Sequence, residues 1–261
     1  MRKIIRHDGI NITNDALPVV TVSEHERLLA AIPGHMFWLQ ARETDSGQIE
    51  LINDRAEWTE VAPLSVGGAR WSIGTSSNGR PAIECGYSGT SVSYGTQVQM
   101  RPDAWTVALV FRKYSSASNV NDLMSSMSLM SASDKLALRI NINAENRIRL
   151  LAEDESPLRD RVSAVIDATQ VTLAVFTFST ALGLSLRING SAAAQNTGDV
   201  RPLLDRSVRL GAQSTVNVNG NSFEGQRMRT HLFGVDLSLP EYSGYLATLE
   251  RELMSFYGIA A

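Results

Sequence analysis

Residues 105–111, Trp-Thr-Val-Ala-Leu-Val-Phe, place a large apolar side chain at every second position. Trp105, Val107, Leu109 and Phe111 alternate with Thr106, Ala108 and Val110. A period of two sends successive side chains to opposite faces of an extended chain. The stretch is therefore a strand with one face in a core and the other toward water or a cleft. The same rhythm returns further along. Leu136, Leu138, Ile140 and Ile142 alternate with Lys135, Ala137, Arg139 and Asn141. Leu182, Leu184, Leu186 and Ile188 alternate with Gly183, Ser185 and Arg187. Val171–Phe178 is apolar on both faces, as in a strand that runs through the centre of a sheet.

Turn signals separate these runs: Asn78-Gly79, Asn189-Gly190 and Asn219-Gly220. Many short strands at such spacing predict an all-β chain folded as a two-sheet antiparallel sandwich or barrel. Ser115–Ser133, rich in Ser, Met and Asn, reads as a long loop or an irregular edge strand.

The two ends of the chain read differently. Lys3–His7 and Ile10–Asn14 flank Asp8-Gly9, a pair suited to the positive φ angles of a type I′ hairpin turn. In that register Ile5 faces Ile12 and His7 faces Ile10, which gives the ribbon one apolar side. A lone two-stranded ribbon is marginal in water, so it must pack on its own domain or on another subunit. Ser23 and Glu26 have the spacing of a capping box ahead of Leu28, Leu29 and Ile32, and Pro33-Gly34 ends that short helix. Ser238 and Glu241, with Pro240, open a second helix in which Leu246, Leu249, Leu253 and Phe256 recur at three- and four-residue steps. Gly258 is positioned to cap it. The boundaries expected are an N-terminal arm over residues 1–35 and a sandwich with a closing helix over 36–261.

Composition narrows the function classes. Of 261 residues, 43% are hydrophobic and 20% charged, as in an ordinary globular protein. The net charge of −3 supplies no basic field for nucleic acid. No apolar stretch approaches the roughly 20 residues of a membrane helix, so no membrane insertion is expected. Met1–Asp8 begins like a signal peptide but lacks the apolar segment that should follow, so ordinary secretion is not expected. The single cysteine, Cys85, sits in an apolar run and reads as a small core residue.

Several pieces occur together in a known arrangement. Trp38 after an apolar strand, Ile52-Asn53-Asp54, and Ser77-Asn78-Gly79-Arg80-Pro81-Ala82-Ile83-Glu84 resemble the opening of concanavalin A-like (laminin G-like) domains of bacterial and phage proteins. Trp105–Phe111, Leu184 through Asn189-Gly190, Phe223-Glu224-Gly225 through Val235, and the helix ending Phe256-Tyr257-Gly258-Ile259 are similar to later parts of the same family. The resemblance spans roughly residues 36–259 and implies a jelly-roll sandwich. It departs from the family at two points. Leu39-Gln40-Ala41 follows Trp38 where Asp-Ala is common, and Ile52-Asn53-Asp54 replaces Trp-Asn-Asp. A carbohydrate or calcium site in that area is therefore not carried over.

Chemistry is sparse. Glycosidases on this scaffold use Glu-x-Asp-x-x-Glu on one strand, which alternation aims into one cleft. No such string exists here, and Glu153-Asp154-Glu155 puts adjacent acids on opposite faces. His7, His25, His35 and His231 share no metal-ligand spacing, and each reads as a surface or packed histidine. Gly67-Gly68 and Gly86–Gly89 open no helix after a strand and are not phosphate loops. Asp54, Asp199 and Asp205 are either calcium ligands or turn caps, and Trp58, Trp71, Tyr87 and Tyr94 line either a sugar-binding face or the core. Asn11-Ile12-Thr13 and Asn189-Gly190-Ser191 match glycosylation acceptors but read as turn residues.

These readings lead to a protein that binds or assembles, with no catalytic residues, cofactor or metal. The leading expectation is a phage virion structural protein, either a head decoration or fibre subunit or a tail-fibre subunit. Its arm residues Ile5, His7, Ile10 and Ile12 would anchor it to copies of itself and to other virion proteins, and the sandwich would be displayed outward, where a host surface glycan is a possible ligand. A stand-alone carbohydrate-binding module is the alternative, and a glycoside hydrolase a third class.

Overall fold

The computed structural model describes residues 23–41, 52–53, 60–61, 72–85, 93–114, 121–126, 138–152, 159–198, 207–211 and 223–261. Helix α1 (Glu24–Ala30) leads into β1 (His35–Gln40), the short pair β2 (Ile52–Asn53) and β3 (Glu60–Val61), then β4 (Ser72–Thr75) and β5 (Pro81–Cys85). Next come β6 (Ser93–Gln99), β7 (Ala104–Lys113), β8 (Asn121–Ser126), β9 (Leu138–Ile142), β10 (Arg147–Ala152) and β11 (Arg159–Val165). The remaining strands are β12 (Thr172–Ser179), β13 (Gly183–Ile188), β14 (Ser191–Asn196), β15 (Ser207–Gly211) and β16 (Gly225–Phe233). Helix α2 (Ser243–Tyr257) closes the fold.

The strands form two main antiparallel sheets. One runs β14-β13-β12-β7-β16-β5-β4, with β1 also paired to β16, and the other runs β11-β10-β9-β8-β15-β6. Strand β16 holds the first together. One of its edges pairs with β7, while the other edge is shared, Gly225–Arg227 with β5 and its C-terminal half with β1.

Alternation explains the core between the sheets. Trp105, Val107, Leu109, Phe111, Phe176 and Leu186 point inward from the eight-stranded sheet. Ile140, Ile142, Ile148, Leu150, Val208 and Leu210 meet them from the six-stranded one. All are at most 1% exposed. Both sheets thus bury one face against the other, the arrangement of a β-sandwich.

The second face of β7 departs from the expectation that it meets water or a cleft. Ala108 and Val110, with Leu173 and Val175 of β12, lie beneath Leu29 of α1 and Leu246, Leu249 and Leu253 of α2. The central strands of the eight-stranded sheet are buried on both faces because the helices form a third layer over them. Thr106, the polar member of that row, is satisfied in place: its hydroxyl donates to Val235 O (2.8 Å) and accepts from Leu237 N (2.9 Å). Val171–Phe178 behaves as expected, and every residue of β12 is buried.

The turns and caps follow the residues that demand them. Asn189 (φ 48°) and Gly190 (φ 77°) both take positive φ, joining β13 to β14 in the tight hairpin that an Asn-Gly pair favours. The Asn189 side chain also accepts from Leu173 N (3.0 Å), which ties the turn to β12. Ser23 caps α1 by accepting from Glu26 N, and Gly258 ends α2 in the left-handed conformation. The start of α2 differs from the sequence reading. Pro240–Tyr242 forms a 3-10 turn, and the Ser238 hydroxyl donates to Asp236 instead of capping the helix. The segment read as a loop or edge contains β8, which pairs on both sides with β9 and β15 and so lies inside its sheet. Cys85 is free and fully buried, and burial pushes its thiol up to about 12. The hairpin expected at residues 3–14, with Ile5, His7, Ile10 and Ile12, lies outside the described residues.

Candidate functional site

A groove of about 680 Å³ opens between the N-terminal half of α2 and the β13–β14 hairpin. Its volume falls in the range of small-molecule sites. Alternation builds one wall. Leu184 and Leu186 of β13 point into the sandwich, so Ser185 and Arg187 must point toward α2. Helical spacing builds the other wall, with Ser243, Leu246, Ala247 and Glu250 three and four residues apart along one side of α2. The space stays open in part because β14 offers the short side chains of Ala192 and Ala193 there, beside the longer Gln195. Gly183 (φ 76°) seals one end, where an added Cβ would lie 2.4 Å from Asn196 O.

Two hydrogen-bonded sets fix the polar groups of the groove. Arg187 meets Glu250 in a two-pronged pair, Nε to Oε1 at 2.6 Å and Nη2 to Oε2 at 3.1 Å, and Nη2 also donates to Gly190 O. That geometry matches the planar fork of a guanidinium to a carboxylate. The second set is a chain of hydroxyls. Asp236 Oδ1 accepts from the backbone N–H (2.8 Å) and the hydroxyl (2.6 Å) of Ser238. Thr177 donates to Ser238 Oγ (3.1 Å), and Ser185 lies 2.7 Å from Thr177. Each hydroxyl has one hydrogen, so the direction propagates from the carboxyl end. With the Thr177 proton on Ser238, Ser185 must donate to Thr177. The Ser185 oxygen therefore faces the groove with lone pairs only.

The other end of the same helix covers a contrasting cluster. Arg229 of β16 is fully buried, and its guanidinium lies over the rings of Phe256 (4.8 Å), Trp38 (5.4 Å) and Tyr257 (5.7 Å). It donates to His25 Nε2 (2.8 Å), which assigns the His25 proton to Nδ1, facing Glu252 Oε2 at 3.3 Å. Burial, then the Arg229 charge, lowers the His25 pKa. His35 and His231 meet through Nε2 and Nδ1 at 3.0 Å, and His35 stacks on Phe233 and Trp38. Burial drives His35 down to about 4. The fold thus gathers His25, His35 and His231 as packed groups. Among the described residues no three His, Cys, Asp or Glu are placed to hold a metal.

Of the other residues singled out in the sequence, Asp54, Asp199, Asp205, Trp58, Trp71, Tyr87 and Glu153-Asp154-Glu155 lie outside the described residues. Tyr94 is on β6, with only its backbone described. Asn189-Gly190 forms a turn, as read, and Ser191 opens β14. Ser185, Arg187, Asp236 and Glu250 carry no local motif that marks them in the sequence, and Ser238 is marked there only as a helix cap. One signal was available: Ser185 and Arg187 sit on the face of a strand opposite its leucines. No described helix is long and apolar enough to cross a membrane.

No family model matches the chain, and no curated protein sequence does. Solved structures match in fold. One is the botulinum neurotoxin serotype D binding domain, at 12% identity and a TM-score of 0.55, covering 88% of this chain and 52% of that one. Another is Trypanosoma rangeli sialidase in complex with sialic acid, at 13% identity and a TM-score of 0.58, covering 87% of this chain and 36% of that one. A third is the botulinum neurotoxin DC binding domain in complex with rat synaptotagmin II, at 10% identity and a TM-score of 0.56, covering 82% and 52%. The chain spans about half the length of the toxin domains and about a third of the sialidase. At such identity the likeness establishes the fold alone, an antiparallel β-sandwich.

Proposed function

We propose that this chain is a non-catalytic, concanavalin A-like binding domain displayed by a phage virion and held there by its N-terminal arm. The observation that carries the binding reading is the groove beside α2. Its polar groups are fixed by the fold, and its carboxylate, Glu250, is clamped through both oxygens by Arg187. Most glycosidases hydrolyse with two carboxyl groups about 5–10 Å apart and facing one cleft. Glu250 is the single acid among the described lining residues. Such a wall suits holding a ligand better than cleaving one. The structural neighbours include both binding domains and a sialidase, so the fold itself permits either use.

The virion reading draws on the apolar side of the expected ribbon, Ile5, His7, Ile10 and Ile12, which suits strand addition to a neighbouring subunit. Deleting residues 1–14 should leave a folded domain whose melting temperature is nearly unchanged and which no longer forms the homo-oligomer or joins the particle. Normal assembly of the truncated protein would overturn the arm. A stand-alone carbohydrate-binding module is the second reading, favoured by the groove alone, and predicts that the deletion changes neither oligomeric state nor glycan binding.

A further inference from the structure

We infer that α1 is an acid-released clasp, locked on α2 while the His25 ring is neutral and freed, with the sandwich still folded, when that ring takes a second proton. This concerns how the N-terminal end of the chain is held, and it stands apart from the binding and virion readings. A helix of seven residues is too short to keep its shape alone, so α1 depends on what it packs against. Leu29 and Ile32 anchor its base in the cluster they share with Leu249 and Leu253 of α2. In its first turn the contact is made by His25, whose ring stacks on Phe256 of α2 with centroids 4.5 Å apart.

The lock exists in one protonation state. Arg229 Nη1 donates to His25 Nε2 at 2.8 Å, so that nitrogen must carry a lone pair. A second ring proton would sit on Nε2 and point at the guanidinium, setting two cations at hydrogen-bond distance. Arg229 cannot yield, because it is fully buried with Trp38, Phe256 and Tyr257 around it. His25 can, because the helix that carries it is short and exposes Glu24, Arg27 and Ala30.

The surrounding charges divide. Glu252 of α2, 3.3 Å from Nδ1, and Glu26 of α1 itself favour the charged ring. Burial and then the Arg229 charge oppose it, and they win: the His25 pKa lies below its ordinary 6.5. Further out, Arg80 lies over the Phe256 ring (4.3 Å), Arg251 holds Glu252 (3.0 Å), and Glu24 pairs with Arg27 on the exposed side. Docked His25 thus refuses a proton that the undocked ring accepts. The docking constant therefore falls as pH drops below the ordinary value, by up to about tenfold per pH unit. The release ends at Gly34, whose carbonyl accepts from Gly234 N (2.7 Å), and from His35 onward β1 is paired with β16.

The test is hydrogen exchange on the full chain, read at single amides from about pH 7.5 to 5 and divided by the intrinsic rate at each pH. Protection of the Arg27 and Ala31 amides, which close the turns of α1, should fall about tenfold or more across this range. The amides of Leu109 in β7 and Phe176 in β12 should exchange through a separate, slower opening. His25→Gln still accepts from Arg229 and donates to Glu252 but cannot titrate, and should hold α1 in place at both ends of the range. Glu252→Gln keeps the Nδ1 hydrogen bond and removes the charge that favours the protonated ring, so the fall should persist and steepen. Four results overturn the clasp: flat protection of α1, a fall that His25→Gln shares, a fall that Glu252→Gln removes, or one exchange rate common to α1 and β7.

Discussion

Two arginines project from the same sheet toward the same helix, and they meet different fates. Arg229 reaches α2 near its C-terminal turn, where Trp38, Phe256 and Tyr257 enclose the guanidinium and α1 adds His25. The helix end also carries partial negative charge, which favours a cation there. Arg187 reaches α2 in its middle, where it meets Glu250, and its side chain stays 28% exposed. Around Arg229 large rings leave no space. Around Arg187 the neighbours are alanines and serines, and a groove remains. The comparison shows that side-chain volume, from the helices as well as the strands, decides where this face is solid and where it opens.

The comparison can be broken at its solid end first. Arg229→Ala removes a fully buried side chain and its stacking, and should lower stability by about 4 kcal/mol, read from the denaturant midpoint. Hydrogen exchange should show α1 loosening, because His25 loses its hydrogen bond from Arg229 and keeps only Glu252 and the Phe256 ring. Arg229→Lys should recover little, since an ammonium lacks the planar surface that rests on the rings. An unchanged midpoint for Arg229→Ala would mean that the ring cluster does not hold the helices.

Acidification is the next lever. His35 titrates near 6.5 when unfolded and at about 4 when folded. Between those values the unfolded chain binds a proton that the folded chain refuses, so stability falls as pH drops. The contribution is complete above pH 6.5, is lost as pH falls toward 4, and amounts to about 3 kcal/mol. His25, also shifted downward, adds a loss of the same sign. His35→Gln keeps an amide that can give a hydrogen bond to His231 or take one from it, and should flatten this part of the pH profile. A profile as steep as the parent's would remove His35 from the account.

The groove end should respond least. Arg187→Met strands Glu250, but partial exposure softens the effect to about 2 kcal/mol. Adding Glu250→Met should restore most of the loss, and a double-mutant cycle measures the pair directly. Additive losses would show that the two side chains act independently.

Much of the architecture was readable from period-two stretches and turn pairs. Trp105–Phe111 and Leu184–Leu186 place their large residues inward as alternation requires, and Asn189-Gly190 makes the turn that its backbone preferences allow. The third layer was harder to see. Ala108 and Val110 are compatible with a cleft or a helix above them, and periodicity along one strand cannot choose between the two. The candidate site was less legible still. Arg187 and Glu250 are 63 residues apart, and His35 and His231 are 196 apart, so nothing local marks either pair. Ser238 misled for a different reason: its spacing to Glu241 suits a capping box, but the Asp236 carboxyl lies two residues away and takes the hydroxyl first.

Strand β16 has a consequence for how the protein is made. It sits between β7 on one side and β5 with β1 on the other, so the early strands reach the middle of their sheet only through a strand near the end of the sequence. A ribosome working from the N-terminus produces β1, β5 and β7 long before the piece that joins them. Until residue 233 emerges, the facing edges of these strands stay open, and open edges recruit one another and neighbouring chains. Closure therefore waits for β16 to be made, and such long-range pairing is slow. The nascent chain, more than the finished protein, is where a chaperone would be needed.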